Sequence, residues 1–332
     1  MDAGHLTELK CNGIALDLST DKFGELRDSS GMIGNIDALR TLMRDEGYLL
    51  FRGMIDRDTV LKARREIMLK YAIIGEIDAI RHPVMDAIYQ PESFVEYVNL
   101  IAFAESIRTG KAYEDVVLHR KLLEFYEQFL GRPARCFDFK WPRFVRPGEG
   151  TGLHSDIVYV ARGSRNLWSS WIPLGDVSKI EGALMVLENS HKADAVLGDY
   201  WAKDADKDHI GWISDDPLEL QNSLGGRWLT TDFEAGDVLC FDVRLVHASL
   251  DNLSPVGRCR LSSDTRYQLA SEPLDERWNG DIANPHGGAP KVFYPGLGRS
   301  NNNKEFEEEW KPVDAYGRLL RHEASPALPG GA

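Results

Sequence analysis

His154 and Asp156 lie two positions apart, between three closely spaced glycines and a β-like apolar run. Alternate residues of a β-strand point to the same face, so this spacing lets an imidazole and a carboxylate reach one metal ion. A second histidine from a distant strand would complete a two-histidine, one-carboxylate set, which leaves open positions and suits iron(II) and oxygen chemistry. On spacing alone, His154 is equally well explained as a hydrogen-bonded strand histidine.

His247 is the candidate for the second histidine. It ends an apolar run that follows a turn at Gly236 and Asp237, and polar residues come directly after it. His191, in an Asn-Ser-His-Lys sequence, is interpreted as a turn residue rather than a ligand. The other histidines lack metal-like spacing and are His5, His82, His119, His209, His286 and His322.

Four motifs occur in order along the chain: the His154 and Asp156 pair, a Trp-Ile-Pro-Leu-Gly-Asp run from Trp171, a Gly-Ala-Leu-Met-Val-Leu-Glu-Asn-Ser-His-Lys run from Gly182, and the run from Gly236 to Phe241. Through them the chain resembles the phytanoyl-CoA dioxygenase family over roughly residues 136–268. The resemblance implies a double-stranded β-helix (jelly-roll) core and an enzyme that uses iron(II), 2-oxoglutarate and dioxygen. It also makes His154, Asp156 and His247 the metal ligands.

The resemblance further implies an arginine clamp for the co-substrate. The family pattern expects an arginine eleven residues beyond the distal histidine, and Arg258 stands there. A guanidinium at this point would form a bidentate pair with the distal carboxylate of 2-oxoglutarate. By the same likeness, Ser249 adds a hydroxyl donor and Trp171 lies beside the co-substrate.

The implied reaction is oxidative decarboxylation of 2-oxoglutarate to succinate and CO₂, coupled to hydroxylation of an unactivated C–H bond. Related halogenases carry a small residue in place of the ligand carboxylate, so the intact Asp156 favours hydroxylation. Desaturation, epoxidation and ring closure use the same ligands and remain open alternatives.

Candidate substrate-binding residues follow from strand alternation, which puts every second residue after Arg258 on one side. Arg260 is the strongest candidate to bind an anionic group of a small-molecule substrate. The alternative is that these charges form structural ion pairs with Asp138, Asp242 or Asp264. The full set of candidates is Arg260, Ser262, Arg266, Lys140, Arg143, Phe241 and Tyr159.

The remaining pattern predicts one domain of mixed α+β class, mainly β with helical cover. Residues 1–135 form a mainly helical layer, residues 136–270 the β-helix core and residues 271–332 an irregular cover. The spacing predicts helices over 36–46, from Asp56 or Asp58 to about 71, and over 117–130, with an early strand within 48–55. Core strands are predicted within 137–145, 167–172, 183–187, 238–241 and 258–268, and residues 204–227 form an insertion over the barrel mouth, either a lid or a surface loop.

Composition excludes several classes of function. The net charge of −13 with scattered basic residues argues against nucleic acid. No apolar run approaches a membrane span, and the start lacks the order of a signal peptide, so we expect a cytoplasmic protein without a membrane partner. The four cysteines form no Cys-x-x-Cys pair, which indicates reduced, buried thiols.

A second class of function shares the same metal ligands. A β-barrel metalloprotein with zinc or manganese could act as an isomerase, hydrolase or ligand-binding protein without consuming oxygen. That alternative explains the triad but not the combination of Arg258, Ser249 and Trp171.

Overall fold

The computed structural model describes residues 8–91, 100–160 and 162–280. Its helices are α1 (Ile36–Glu46), α2 (Arg57–Ile73), α3 (Leu100–Arg108), α4 (Lys111–Val117), α5 (Arg120–Leu130), α6 (Ile157–Val160), α7 (Asp194–Trp201) and α8 (Pro217–Leu224). Its strands are β1 (Lys10–Cys11), β2 (Ile14–Ala15), β3 (Phe23–Glu25), β4 (Tyr48–Phe51), β5 (Ala134–Cys136), β6 (Trp141–Val145), β7 (Trp168–Pro173), β8 (Leu184–Leu187), β9 (Trp228–Thr230), β10 (Val238–Asp242), β11 (His247–Ser249) and β12 (Arg260–Leu269).

Two sheets form the core. The larger has the order β4-β10-β7-β12-β5, with β6 also paired to β12, and the smaller has the order β11-β8-β9-β3. A reciprocal bridge between His154 and His247 extends the smaller sheet beyond β11. Apolar side chains of both sheets, such as Leu239 and Val186, belong to one buried cluster between them. This α+β architecture is the double-stranded β-helix that the sequence predicts.

Helices cover the outer face of the larger sheet. Residues of α1, α2, α4 and α5 share one buried apolar cluster with outward residues of β10 and β12. Aromatic pairs join these layers: Tyr126 stacks on Tyr267 with ring centroids 4.2 Å apart, and Tyr71 stacks on Phe144 at 3.9 Å. The helical layer therefore fixes the position of β12 and its neighbours.

β12 has both faces buried, and the two faces differ in chemistry. Leu261 and Tyr267 point outward into the helical cluster, whereas the even-numbered residues point between the sheets. The inward set is Arg260, Ser262, Asp264 and Arg266, as strand alternation predicts. Charged side chains inside a protein are costly unless something pairs with them, so this face marks a functional region.

The predicted N-terminal elements are largely confirmed. α1 has the predicted bounds, β4 follows Gly47, and Asp56 caps α2 by accepting a hydrogen bond from the Thr59 amide. The helix expected over 117–130 is confirmed from Arg120 to Leu130, where it ends at Gly131, but its predicted start is wrong, because Leu118 and His119 separate α5 from α4. The short strands β1 to β3 lack an extended apolar alternation, and the sequence does not predict them.

One local prediction near the metal ligands is also wrong. The run from His154 to Val160 is not a strand, because only His154 makes a β-bridge and the chain then turns into α6. The Tyr159 amide donates to the Asp156 carbonyl within that turn.

Two further expectations have no structural outcome. Most of the irregular cover expected over residues 271–332 lies outside the described residues, which end at residue 280. The division into a single domain stays a prediction. Among the residues that the structure describes, none of the helices is long and apolar enough to cross a membrane.

Candidate metal centre

His154, Asp156 and His247 converge on one point between the sheets. One potential ligand atom from each lies within 4.8 Å of the others, and all three residues are buried. The two histidines exchange backbone hydrogen bonds of 3.0 and 2.9 Å, so this β-bridge sets their separation. Within the described part of the chain, no other group of histidine, cysteine or acidic side chains has this geometry.

Each imidazole is oriented by a backbone carbonyl. Nδ1 of His154 lies 2.7 Å from the Gly152 oxygen, and Nδ1 of His247 lies 3.0 Å from the Leu245 oxygen. Because a carbonyl only accepts hydrogen bonds, each Nδ1 carries the proton and each Nε2 keeps a lone pair. This is the arrangement in which histidine binds a metal.

The carboxylate of Asp156 is held at both oxygens. The Ser169 hydroxyl donates to Oδ2 at 2.5 Å, and Nη2 of Arg266 donates to Oδ1 at 2.8 Å. Oδ1 also lies 3.8 Å from Nε2 of His154 and 3.9 Å from Nε2 of His247. The three donors thus meet at Oδ1 and the two Nε2 atoms.

Burial and neighbouring charges set the protonation states of the three side chains so that they can bind a cation. Burial lowers the pKa of His154 to about 3, the His247 imidazole adds to the shift, and Asp156 opposes it. Burial also lowers the pKa of His247. For Asp156, burial alone would raise the pKa, but Arg266 and the two imidazoles outweigh it and hold the pKa below its usual range. At neutral pH the site therefore offers two neutral imidazoles and one carboxylate.

These residues fit a first-row transition metal. Two donors that each lie about 2.1 Å from one ion are at most about 4.2 Å apart, so the distances at Oδ1 allow shared ligation. Two imidazoles and a carboxylate on one side suit iron(II) and leave positions for other ligands.

The residues expected around the co-substrate lie in two places. Trp171 is buried between the sheets, and its Nε1 donor has no hydrogen-bond partner among the residues that the structure describes. Ser249 is also buried, and its hydroxyl accepts a hydrogen bond of 2.7 Å from the Thr151 amide. Arg258 lies outside the last strand, with its side chain 38% exposed and Nη1 3.3 Å from Glu181.

Arg260 lies deeper than Arg258. Its side chain is buried, donates to the Ser262 hydroxyl at 2.5 Å, and lies 5.8 Å from the Trp171 ring centre. Its Nε has no hydrogen-bond partner, and none of the carboxylates in the described residues forms an ion pair with it. Burial lowers the pKa of Arg260 to about 9, and the nearby Arg143 adds to the shift.

Some of the other predicted substrate residues lie beside the triad, and others are paired elsewhere. Phe241 and Tyr159 flank the triad, with ring centres 4.7 Å from His247 and 5.7 Å from His154. Arg143 pairs with Asp264 on the inner face, as the structural alternative expects. Lys140 is directed elsewhere and donates to the Asp138 carbonyl.

The sequence model of the phytanoyl-CoA dioxygenase (PhyH) family matches residues 43–259. The chain belongs to the phytanoyl-CoA dioxygenase family. It is accordingly an enzyme of the 2-oxoglutarate-dependent non-haem iron class.

Two proteins named 1-deoxypentalenic acid 11-beta-hydroxylase are similar to this family member. The one from Streptomyces arenae is 26% identical over 264 residues, which cover 76% of this chain and 88% of the relative. The one from Streptomyces exfoliatus is 26% identical over 271 residues, with the same coverage of both chains.

Solved structures also resemble this chain. The non-heme alpha ketoglutarate dependent carbocyclase SnoK from nogalamycin biosynthesis has a TM-score of 0.52 and 16% identity, with 75% of this chain and 90% of SnoK covered. The likeness supports the fold. The epimerase SnoN in complex with Fe3+, alpha ketoglutarate and nogalamycin RO has a TM-score of 0.49 and 16% identity, over 79% of this chain and 95% of SnoN.

Sequence patterns miss one residue that contacts Asp156 and do not reveal the partner of another. Ser169 belongs to no motif, although it lies two positions before Trp171 on the same strand and alternation puts both on one face. Arg266 is expected from the sequence to bind substrate; the structure pairs it with the candidate ligand Asp156, and the substrate role stays a prediction.

The insertion at 204–227 lies against the loop that carries His154. The Ile213 amide donates to the Leu153 carbonyl at 2.8 Å, and the Tyr200 hydroxyl donates to the Gly211 carbonyl at 2.9 Å. The Trp212 ring packs on Gly152 so closely that a Cβ at this glycine would have no room. The insertion therefore covers the metal loop, and a lid motion stays a prediction.

Two of the remaining histidines make hydrogen bonds elsewhere in the described structure. His191 lies buried in the turn after β8, with Nε2 3.0 Å from the Arg44 carbonyl, so it is a hydrogen-bonding turn residue as expected. His119 caps α5 through the Lys121 amide. His5, His286 and His322 lie outside the described residues.

Proposed function

We propose that the protein is an iron(II)- and 2-oxoglutarate-dependent dioxygenase that hydroxylates an unactivated C–H bond of a small metabolite. The observation that carries the proposal is the convergence of two Nε2 atoms and one carboxylate oxygen at His154, His247 and Asp156. When bound, iron supplies dioxygen activation coupled to decarboxylation of the co-substrate to succinate and CO₂.

The interior also suits an acceptor-rich co-substrate. Within the described residues, the buried donors without a hydrogen-bond partner include Trp171 Nε1, Arg258 Nε and Arg260 Nε, which a dicarboxylate can satisfy. We propose that Arg260 binds the distal carboxylate of 2-oxoglutarate in place of Arg258, the family position. Arg258 is already paired with Glu181, whereas Arg260 has no carboxylate partner among the described residues and lies next to Trp171.

A small carboxylic acid is the substrate class that we propose to test first. The two relatives are named for hydroxylation of an acid, and Arg143 lies close enough to His154 and Tyr159 to influence both of their pKa values. Arg143 pairs with Asp264 through Nε. With Arg260 assigned to the co-substrate, an acid substrate would bind the other nitrogens of the Arg143 guanidinium.

Anaerobic addition of iron(II) and 2-oxoglutarate to the purified protein tests the reaction class. We expect a weak visible charge-transfer band that is lost in Asp156→Ala, and succinate release with a panel of acids compared with their neutral amides. Asp176→Ala is the matched control, because this carboxylate is exposed and paired with Arg57. Absence of the band in the wild type would sink the proposal, and turnover without oxygen would favour the zinc or manganese alternative.

A further inference from the structure

Asp156 is held from two sides by a pair of residues that face each other across two strands. Arg266 on β12 and Ser169 on β7 are direct partners in the antiparallel ladder. Arg266 donates to Oδ1 and Ser169 donates to Oδ2. The three side chains are buried, so water does not compete for these hydrogen bonds.

The two oxygens of Asp156 have different tasks. Each carboxylate oxygen has about two lone-pair directions. Oδ1 gives one to Arg266 and lies within 3.9 Å of both imidazole Nε2 atoms, so its other lone pair is the one available to a metal. Oδ2 is engaged by the Ser169 hydroxyl, which opposes rotation of the carboxylate into a chelating position.

Arg266 is itself fixed in place. Its guanidinium carbon lies 4.7 Å from the Trp141 ring centre, and Nη1 lies 3.3 Å from the Thr265 carbonyl oxygen. A planar guanidinium on an aromatic face is held in orientation as well as in position. The donor that meets Oδ1 is therefore aimed before any metal binds.

We propose that Ser169 and Arg266 are positioning residues that make Asp156 a ligand through Oδ1 alone. The coordination position that a chelating carboxylate would occupy is thereby kept for water, co-substrate or oxygen. This inference rests on the proposed metal site and adds to it the residues that set how many positions stay open.

Water proton relaxation of the Mn(II)-loaded protein tests the proposal without 2-oxoglutarate or turnover. Three protein ligands leave about three water positions on an octahedral ion. In Ser169→Ala, rotation of the carboxylate should displace one water, and the relaxivity of the bound ion should fall by about one third. Arg266→Lys, which keeps the charge but not the planar fork, should show the same loss.

Ser170→Ala is the matched control. Its hydroxyl is buried on the same strand but faces Tyr126 and Cys240, so the relaxivity should stay at the wild-type value. Wild-type relaxivity in both Ser169→Ala and Arg266→Lys overturns the positioning role, as does an equal loss in Ser170→Ala. Failure of the wild type to bind Mn(II) overturns the proposed metal site itself, and the two failures are thus distinguishable.

Discussion

Arg260 differs from the other two arginines on the inner faces of β6 and β12. Arg143 pairs with Asp264 and Arg266 pairs with Asp156, but among the described carboxylates none pairs with Arg260. A buried cation without a counter-charge is unfavourable, and its pKa is lowered accordingly. An anionic ligand relieves that cost, which is why a single carboxylate suits this position.

We expect Arg260→Gln to weaken 2-oxoglutarate binding strongly. Loss of one partner in a buried, hydrogen-bonded charge pair costs about 2–5 kcal/mol. At about 1.4 kcal/mol per factor of ten, the dissociation constant should rise about 30-fold or more. Anaerobic titration of the charge-transfer band measures it.

Arg258→Gln is the control for this prediction. Its side chain is partly exposed and paired with Glu181, so the dissociation constant should change less than about threefold. The reverse ranking of the two variants would return the co-substrate clamp to Arg258, and equal effects would indicate that both guanidinium groups share the carboxylate.

At the scale of elements, the junction between α1 and β4 depends on Gly47. This glycine has φ of +80° and caps α1, and a Cβ built there would lie 2.5 Å from Nδ1 of His191. His191 in turn lies against the last turn of α1 through the Arg44 carbonyl. The turn after β8 and the first helix are thus locked together at one point.

Gly47→Ala should therefore destabilise the fold by more than backbone strain alone. A left-handed non-glycine residue costs about 1–2 kcal/mol, and crowding of a packed ring adds about 1–3 kcal/mol. Gly53→Ala separates the two effects, because Gly53 has φ of +58° and a methyl group at this position would meet no atom within 4 Å. Urea denaturation measures the free energy of unfolding of both variants. Equal losses would show that the His191 ring shifts to accommodate the methyl group.

Sequence patterns predict elements here better than they predict contacts. The 3.6-residue apolar period of α1 let its bounds be read directly, and strand alternation let the inward residues of β12 be predicted, although β12 begins at Arg260 and ends at Leu269 rather than spanning 258–268. The turn after Asp156 could not, because its apolar Ile-Val-Tyr-Val run fits a buried strand or a helical turn equally well. The ion pair of Arg258 with Glu181, which motivates the proposed assignment of the clamp to Arg260, could not be read either, because Glu181 is distant in sequence.

The same limit applies within the site. The type and order of the three metal ligands could be predicted from His154, Asp156 and His247 as they stand. Ser169 belongs to no motif. Only the folded structure, in which it lies opposite Arg266 in the ladder, reveals its contact with Asp156.

For the whole molecule, charge is divided between outside and inside. The chain has a net charge of −13, while the inner faces of β6 and β12 carry three guanidinium groups against Asp264 and Asp156. The net negative charge of the chain should repel a dianionic co-substrate at long range. The guanidinium groups attract it only after it enters the space between the sheets. The repulsion acts through solvent and is screened by salt, whereas the buried attraction is screened much less.

We therefore expect 2-oxoglutarate to associate severalfold faster as the ionic strength rises from about 0.01 M to about 0.1 M, a range over which the Debye length falls from about 30 Å to about 10 Å. Anaerobic stopped-flow measurement of the charge-transfer band gives this rate. The dissociation rate serves as the internal control, because it depends on buried contacts and should change less. An association rate that falls with salt would mean that a local basic field dominates the approach.

The pairing of Arg266 with Asp156 also bears on how the enzyme is assembled in a cell. Because the ligand carboxylate already has a counter-charge and the imidazoles are neutral, the polypeptide can reach its native state before metallation. Which metal the protein binds then depends on the ions that are available and not on the folding of the chain. Copper and zinc bind such ligands more tightly than iron(II), so the supply of free ions decides which of them the newly made protein acquires.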